Sequence, residues 1–359
     1  MAAEARWDLG GRDVDALYAE AQRFRGEPIS TRAWRKLRKN RAAWFSWLFL
    51  CVIGLGSLFA PLLPIPSPKT MRPSERPQPP VWPWLDKTKQ QFEVDYWDLG
   101  VVDGALVELR TKLFGKYQTG PWLGADSQGR DLLARIGWGS RKSILTALAA
   151  ASISLTIGVV WGAWAALKGG RTDRWMMRFV DVLYSLPFVF LVITALALFD
   201  APRASLGEEL IDREVVFFVV LGAVFWLTMA RVVRGQVLAL KSSEFVLAAR
   251  AMGAPTAWIL RRHVLPNVLP VAVVYLTLTL PSVMLAEAFL SFLGLGVQAP
   301  EVSFGLLVAD GVEAINALQV RWWLFAYPAV AMASVLLALF VLGDGLRDAL
   351  DVRDKERPA

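Results

Sequence analysis

Between Lys142 and Lys168 the chain reads SILTALAAASISLTIGVVWGAWAAL, residues 143–167, without one charged side chain. Crossing the hydrocarbon core of a bilayer takes about 17–25 apolar residues at roughly 1.5 Å each, so this run is long enough to span. Five more uncharged runs surround it. Arg41 and Lys69 bracket 42–68, Asp181 and Asp200 bracket 182–199, and Glu214 and Arg231 bracket 215–230. His263 and Glu287 bracket 264–286, and Arg321 and Asp344 bracket 322–343. The runs at 182–199 and 215–230 are the short ones, and they span once their end charges sit at headgroup depth. Six such runs leave too little polar sequence to cover a soluble core. The chain therefore reads as an all-α integral membrane protein with six transmembrane helices.

Composition agrees. Of 359 residues, 55% are hydrophobic and 20% charged, and the mean hydropathy is +0.41. A single Cys excludes an intramolecular disulfide framework and Cys-rich metal sites, and a single His excludes HExxH zinc chemistry. No catalytic or metal-ligating constellation is read from the sequence. The formal charge of +7 would suit nucleic acid or an anionic lipid surface, and its placement decides. Lys and Arg crowd residues 32–41, 168–178, 231–262 and 347–357, on one side of the six runs, while 201–213 and 288–321 are poorer. By the positive-inside rule both termini are cytoplasmic, and no basic face on a soluble domain remains for nucleic acid.

This gives an organisation. Residues 1–41 are a cytoplasmic tail, with a helix fitting 13–25, and an amphipathic elbow over 31–41 that carries Trp34 and Trp44 at interface depth. The first span, 42–63, is an uncleaved anchor, because its Pro-rich exit lacks an A-x-A site. Residues 64–130 form the one sizeable outer segment. Pro64, Pro66, Pro68, Pro73, Pro77, Pro79, Pro80 and Pro83 favour extended chain at its start. The stretch 90–120, with Phe92, Tyr96, Trp97, Leu99, Val101 and Val102, reads as a strand pair or a lid, and the whole of 64–120 as a mixed insertion that helps dock a partner or cover a pore mouth, or else as a spacer. Residues 131–353 hold spans two to six, and 354–359 form a short cytoplasmic tail.

Loop 234–266 is the most informative. Over 242–267 it reads SSEFVLAARAMGAPTAWILRRHVLPN. Ser242 or Ser243 suits an N-cap and Glu244 the positive first turn that follows. Gly253 suits the left-handed residue that ends the helix. Pro255 fits the first position of a second helix, which carries Arg261, Arg262 and His263 before Pro266 stops it. Two short helices at a glycine elbow, with Ala248, Ala249 and Ala251 as a small-residue face, suggest docking into a partner's groove. His263 reads as a helix-end packing residue.

The spacing Ala248-Ala249-x-x-x-Gly253 followed by Leu265-Pro266 resembles the EAA loop of ABC importer permeases, with Leu247 standing where the family's glutamate would be. The His263–Asn267 form HVLPN resembles the C-type subunit of the dipeptide/oligopeptide branch. So do WRKLRKNRAAW at 34–44, LGADSQGRDLLARIGWGSRKSI at 123–144, GGRTDRWMMRFVDVLYSLP at 169–187, EAFLSFLGLGVQAP at 287–300 and LGDGLRDALDVR at 342–353. Ala125 and Ala134 replace the usual Thr and Ser, and the insertion 64–120 is longer than usual. The resemblance implies the type I permease fold and import of peptides or peptide-like solutes across the cell inner membrane. It implies a second permease, different or identical, two ATP-binding cassette ATPases and an extracytoplasmic substrate-binding protein, with membrane lipids around them. ATP and Mg would be bound by the ATPases. This chain has no GxxxxGK[ST] phosphate loop and is expected to bind no cofactor and to be no enzyme. The ATPase-coupling residues would be Glu244, Leu247, Ala248, Ala249, Gly253, His263, Leu265 and Pro266.

Charges near mid-bilayer are costly and face protein or water. Asp181, opening span three, and Glu287, near the outer end of span five, are read either as inter-helix hydrogen-bond partners or as lining a substrate path or gate. Gly158, Gly162, Ala163 and Ala166 form a small-residue face for close helix packing. Pro187, Pro281 and Pro328 mark kinks or helix ends. A membrane-embedded enzyme would want converging nucleophiles or acids, and an ion-coupled carrier an internal repeat; the sequence offers neither.

Overall fold

The computed structural model describes residues 29–69, 71, 79–80, 100–115, 119–206, 213–315 and 320–350. The helix fitted to 13–25, most of the Pro-rich stretch, residues 90–99 and the tail 354–359 lie outside these. Helix α1 (Ile29–Lys39) is the amphipathic elbow, and Asn40 caps the next helix, α2 (Arg41–Leu58), by accepting from the Ala43 N–H at 3.2 Å. A 3₁₀ turn, Ala60–Leu62, closes this first span. Helix α3 (Val101–Phe114) precedes α4 (Leu132–Lys168), α5 (Gly170–Ser185), α6 (Phe188–Leu206) and α7 (Arg213–Lys241). Then come two short helices, α8 (Glu244–Ala251) and α9 (Thr256–Ile259). The long α10 (Leu265–Phe292), α11 (Phe304–Glu313) and α12 (Trp322–Leu350) complete the described chain.

Among the described residues five helices are long and apolar enough to cross a bilayer: α2, α4, α7, the continuous stretch Thr256–Phe292, and α12. The pair α5 and α6 passes the same test of length and apolarity only when taken together, and it is bent by 98° at the break between them, the form of a broken span or a re-entrant loop. The sequence placed span three over 182–199, but the helix breaks within it. Pro187 disfavours helical backbone at the residue before it, and Leu186 is accordingly extended (φ −80°, ψ 142°). Asp181 therefore sits on α5, ahead of the bend, and does not open the span. Pro281 and Pro328, by contrast, lie inside α10 and α12.

The outer segment also departs from expectation. Among the described residues there is no strand, only an isolated bridge between Ala125 and Asp131. The end of the stretch read as a strand pair is helix α3. Its valines suit either element, but Gly100 and Gly115 bound a segment that buries Val107 and Arg110 one turn apart.

In a lipid surround, helix association rests on close van der Waals contact. The most extensive crossing is α4 against α7. A Cβ on Gly158 would meet the Met229 Cβ at 2.5 Å, one on Gly162 would run into the Ala230 carbonyl oxygen, and one on Gly222 would meet the Ile153 Cβ at 2.7 Å. The expected small-residue face is thus an interface. Gly345 lets α12 press on Ala43 of α2, and Gly305 and Gly311 seat α11 on Ala288 and Leu324.

Candidate functional site

At one end of the bundle the chain forms the elbow. Its root is fixed, since Lys241, closing α7, donates through Nζ to the terminal carbonyls of α4, Ala166 at 3.1 Å and Leu167 at 3.3 Å. Ser243 occupies the N-cap of α8. Its hydroxyl, however, donates back to the Leu240 carbonyl at 2.6 Å instead of accepting from the new helix. The side-chain cap read from Ser242 or Ser243 is absent, because both hydroxyls find carbonyls in the preceding turn. Glu244 stands in the first turn, as expected, and is exposed.

Helix α8 ends in a Schellman motif. The Gly253 N–H donates to Arg250 O at 3.0 Å and the Ala254 N–H to Ala249 O at 3.1 Å, with Gly253 at φ +84°. Pro255 is the N-cap of α9 and not its first residue. Nor does Pro266 stop the second helix. A π turn, Leu260–Val264, widens the backbone so that the Leu265 N–H reaches back five residues to Leu260 O, and Pro266 then enters α10 in its first turn. The second arm of the elbow is thereby continuous with a span.

The elbow has two faces. Val246, Ala249, Ile259 and Val264 are buried against Met229, Val233 and Val237 of α7, Val268 of α10 and Ala163 and Ala166 of α4. This corrects the reading of Ala249. It is 3% exposed, packs inside its own chain and cannot line a partner's groove. Ala248 and Ala251 do face out. The outward face also carries Phe245, Leu247, Trp258 and Met252, the last 82% exposed. The His263 ring lies 5.1 Å from Trp258 and 6.1 Å from Phe245, the packing role expected of it. Leu265 is half-buried and Pro266 exposed.

Asp181 and Glu287 are not brought together. Asp181 belongs to the elbow end, where Arg231 of α7 donates to it at 2.8 Å while stacking over Tyr184 at 4.2 Å. Beside it Asp173 takes a bidentate fork from Arg234. These two pairs tie α5 to α7. Glu287 lies at the opposite end, 1% exposed, accepting from Ser291 at 2.8 Å and Ser143 at 3.2 Å. The Ser143 hydroxyl in turn accepts from the Phe304 N–H at 3.0 Å, so Glu287 joins α4, α10 and α11 from inside the protein. Both carboxylates are inter-helix partners in this conformation.

Sequence reasoning missed a charge network at that same end. Asp126 accepts from Arg130 Nε at 2.6 Å and Arg135 at 2.7 Å, and Arg135 also reaches Asp310 of α11 at 2.8 Å. These residues and Arg321 line a cavity of about 380 Å³. The signal lay in the alternating charges Asp126, Arg130, Asp131 and Arg135. Asp310 is too distant in sequence to be paired with them by spacing. A second tie joins Glu301, before α11, to Lys69 at 2.7 Å and Lys142 at 3.5 Å. Burial pushes the Glu301 carboxyl up, but the Lys69 hydrogen bond and the charges of Lys142 and Lys69 outweigh it and hold the group below its ordinary value.

Comparison with known proteins places this architecture. Residues 158–354 match the family "Binding-protein-dependent transport system inner membrane component", and residues 30–80 match "N-terminal TM domain of oligopeptide transport permease C". The oligopeptide transport system permease protein OppC of Escherichia coli (strain K12) is 36% identical over 94% of this chain and 96% of its own. OppC of Haemophilus influenzae is 44% identical over 65% of this chain and 71% of its own. The dipeptide transport system permease protein DppC of Bacillus subtilis (strain 168) is 43% identical over 64% and 68%. Among solved structures, a chain of the MetNI methionine ABC transporter in an inward-facing conformation aligns with TM-score 0.48 and 19% identity, over 61% of this chain and 98% of that one. By the family match over 158–354 and the curated relatives, the chain belongs to the binding-protein-dependent transport inner-membrane components, in the C-type oligopeptide/dipeptide permease branch.

Proposed function

We infer that this chain is one of two permease subunits of an inner-membrane importer of peptides or peptide-like solutes, driven by ATP hydrolysis on partner subunits. A second permease completes the pore, two ATPases hold ATP and Mg, and an extracytoplasmic binding protein delivers the solute. The chain itself performs no covalent chemistry. The charge bias 32–41, 168–178, 231–262 and 347–357 supports an orientation with both termini and the elbow on the ATP side.

The observation that carries the reading is the two-faced elbow. A docking surface that transmits force must expose apolar side chains to its partner and be keyed into the helices it moves. Phe245, Leu247, Met252 and Trp258 meet the first requirement. The buried Val246, Ala249, Ile259 and Val264, the Lys241 clasp on α4 and the unbroken passage from α9 into α10 meet the second. ATPase closure would thus shift α4, α7 and α10 as one body and turn the pore from one side to the other.

The test replaces Leu247 and Met252 by Asp, singly and together, in the full complex. Exposed apolar-to-acidic changes leave the chain's own core untouched, so protein level and membrane insertion should be normal. ATPase co-purification and solute uptake should both fall. Undiminished ATPase association in the double variant would remove the elbow from the coupling interface.

A further inference from the structure

Outer helix α3 carries an apolar stripe that none of the other described residues covers. Val102, Ala105, Leu109 and Leu113 recur at helical spacing and all are exposed, Val102 by 67% and Leu113 by 62%. A neighbouring face holds Val107 and Arg110, which are buried, and Asp103, which is mostly so. The third face carries Glu108 and Lys112, an exposed ion pair at 2.9 Å. The helix is too short to cross a bilayer, and its four charges bar it from the hydrocarbon core.

Two contacts fix its depth. Its buried face rests on the 3₁₀ turn Ala60–Leu62, which directly follows the first span. Its N-terminus is held by Arg141, which donates to Asp103 at 2.8 Å with its guanidinium 5.6 Å from the Trp138 ring. Arg141 and Lys142 precede the uncharged run of α4, so they mark the outer boundary of the hydrocarbon core there. Two spans therefore place α3 at one level, where core meets headgroup. The exposed face of α2 ends in Leu55, Leu58 and Phe59, and Leu63 carries it on to the turn beneath α3. The stripe continues a surface that already faces lipid.

The geometry points to α3 as an interfacial anchor, lying in the outer leaflet with Val102, Ala105, Leu109 and Leu113 buried among acyl chains and Glu108 and Lys112 in water. This goes beyond the transport reading and does not depend on the solute or on the ATPase. It gives part of the outer segment a lipid partner, where the sequence suggested a protein one, and it pins the outer ends of α2 and α4 to the leaflet while the elbow end moves.

The test places single cysteines at Leu109, Leu113, Glu108 and Lys112 in a Cys51→Ser background. The assembled transporter is spin-labelled and reconstituted in nanodiscs of phosphatidylethanolamine and phosphatidylglycerol. Collision rates are read with oxygen, which concentrates in acyl chains, and with a nickel chelate, which stays in water. The oxygen-to-nickel ratio should be several-fold higher at positions 109 and 113 than at 108 and 112, and unchanged by added binding protein. A low ratio at all four positions would place the helix in water and overturn the anchor. Low collision rates with both probes at 109 and 113 would show a covering protein subunit and overturn it equally. Neither result would touch the coupling role of the elbow.

Discussion

Gly253 isolates one physical variable, the sign of a backbone angle. It adopts φ +84°, and a Cβ built on it meets nothing within 4 Å, so a substituted side chain suffers no clash. What remains is the left-handed backbone itself, which costs an L-residue about 1–2 kcal/mol and a β-branched residue more. One or two kcal/mol is a factor of about 5–30 in an equilibrium. If the Schellman elbow is the geometry that the ATPase recognises, apparent ATPase affinity should fall by about that factor for Gly253→Ala and further for Gly253→Val. Gly253→Asn should fall least, because Asn tolerates this conformation better. Gly235 is the matched control. It lies in α7, also with nothing within 4 Å of an added Cβ but with no positive φ, so Gly235→Ala should be neutral or slightly stabilising. The assay titrates purified ATPase onto reconstituted variants and measures uptake on the same preparations. Equal affinity for Gly, Asn, Ala and Val at position 253, or a loss at 235 equal to that at 253, would refute the reasoning.

Three further outcomes are expected. Gly162→Leu should lower the amount of folded chain in the membrane, because its side chain would displace the Ala230 carbonyl and the Arg234 amide, 3.0 Å away, at the α4–α7 crossing; wild-type levels would show that the crossing yields. Asp126→Asn leaves two buried guanidiniums short of a carboxylate, a loss of about 3–5 kcal/mol for a broken buried pair. Thermal unfolding in detergent should come several degrees earlier, and an unchanged midpoint would mean that water already shares the site. Glu301 titrates below its ordinary value of 4.5, so its contribution is present above that value and is lost as pH falls through the lowered one. A spin label at Ser67 should therefore loosen only below about pH 4.5, whereas Glu301→Gln should show the loosened spectrum at neutral pH. A neutral-pH spectrum identical to wild type would dissociate the Lys69 tie from the order of residues 64–69.

Much of this was legible because membranes enforce simple rules. Charges bracket the uncharged runs, and five of those runs overlap described helices long and apolar enough to cross a bilayer. Span three slipped because an uncharged run reports what lipid tolerates and not what the backbone does at Pro187. The elbow was legible through Glu244, Gly253 and Pro255, whose conformational demands are local. Which side of α8 turns inward was not, because Val246 and Ala249 on one side and Leu247 and Met252 on the other are all apolar, and only the helices beneath choose between them. The network of Asp126, Arg135 and Asp310 depends on a contact between residues 175 apart in sequence, and the Ser143 hydroxyl that reaches Glu287 comes from 144 residues away.

The most direct measurement of the central claim is peptide uptake by proteoliposomes that hold this chain, its partner permease and the ATPases, supplied with binding protein and ATP. Accumulation should require ATP, the ATPases and this chain together, and Leu247→Asp should abolish it while the binding protein still binds peptide. ATP-independent accumulation by this chain alone under an ion gradient would contradict the account.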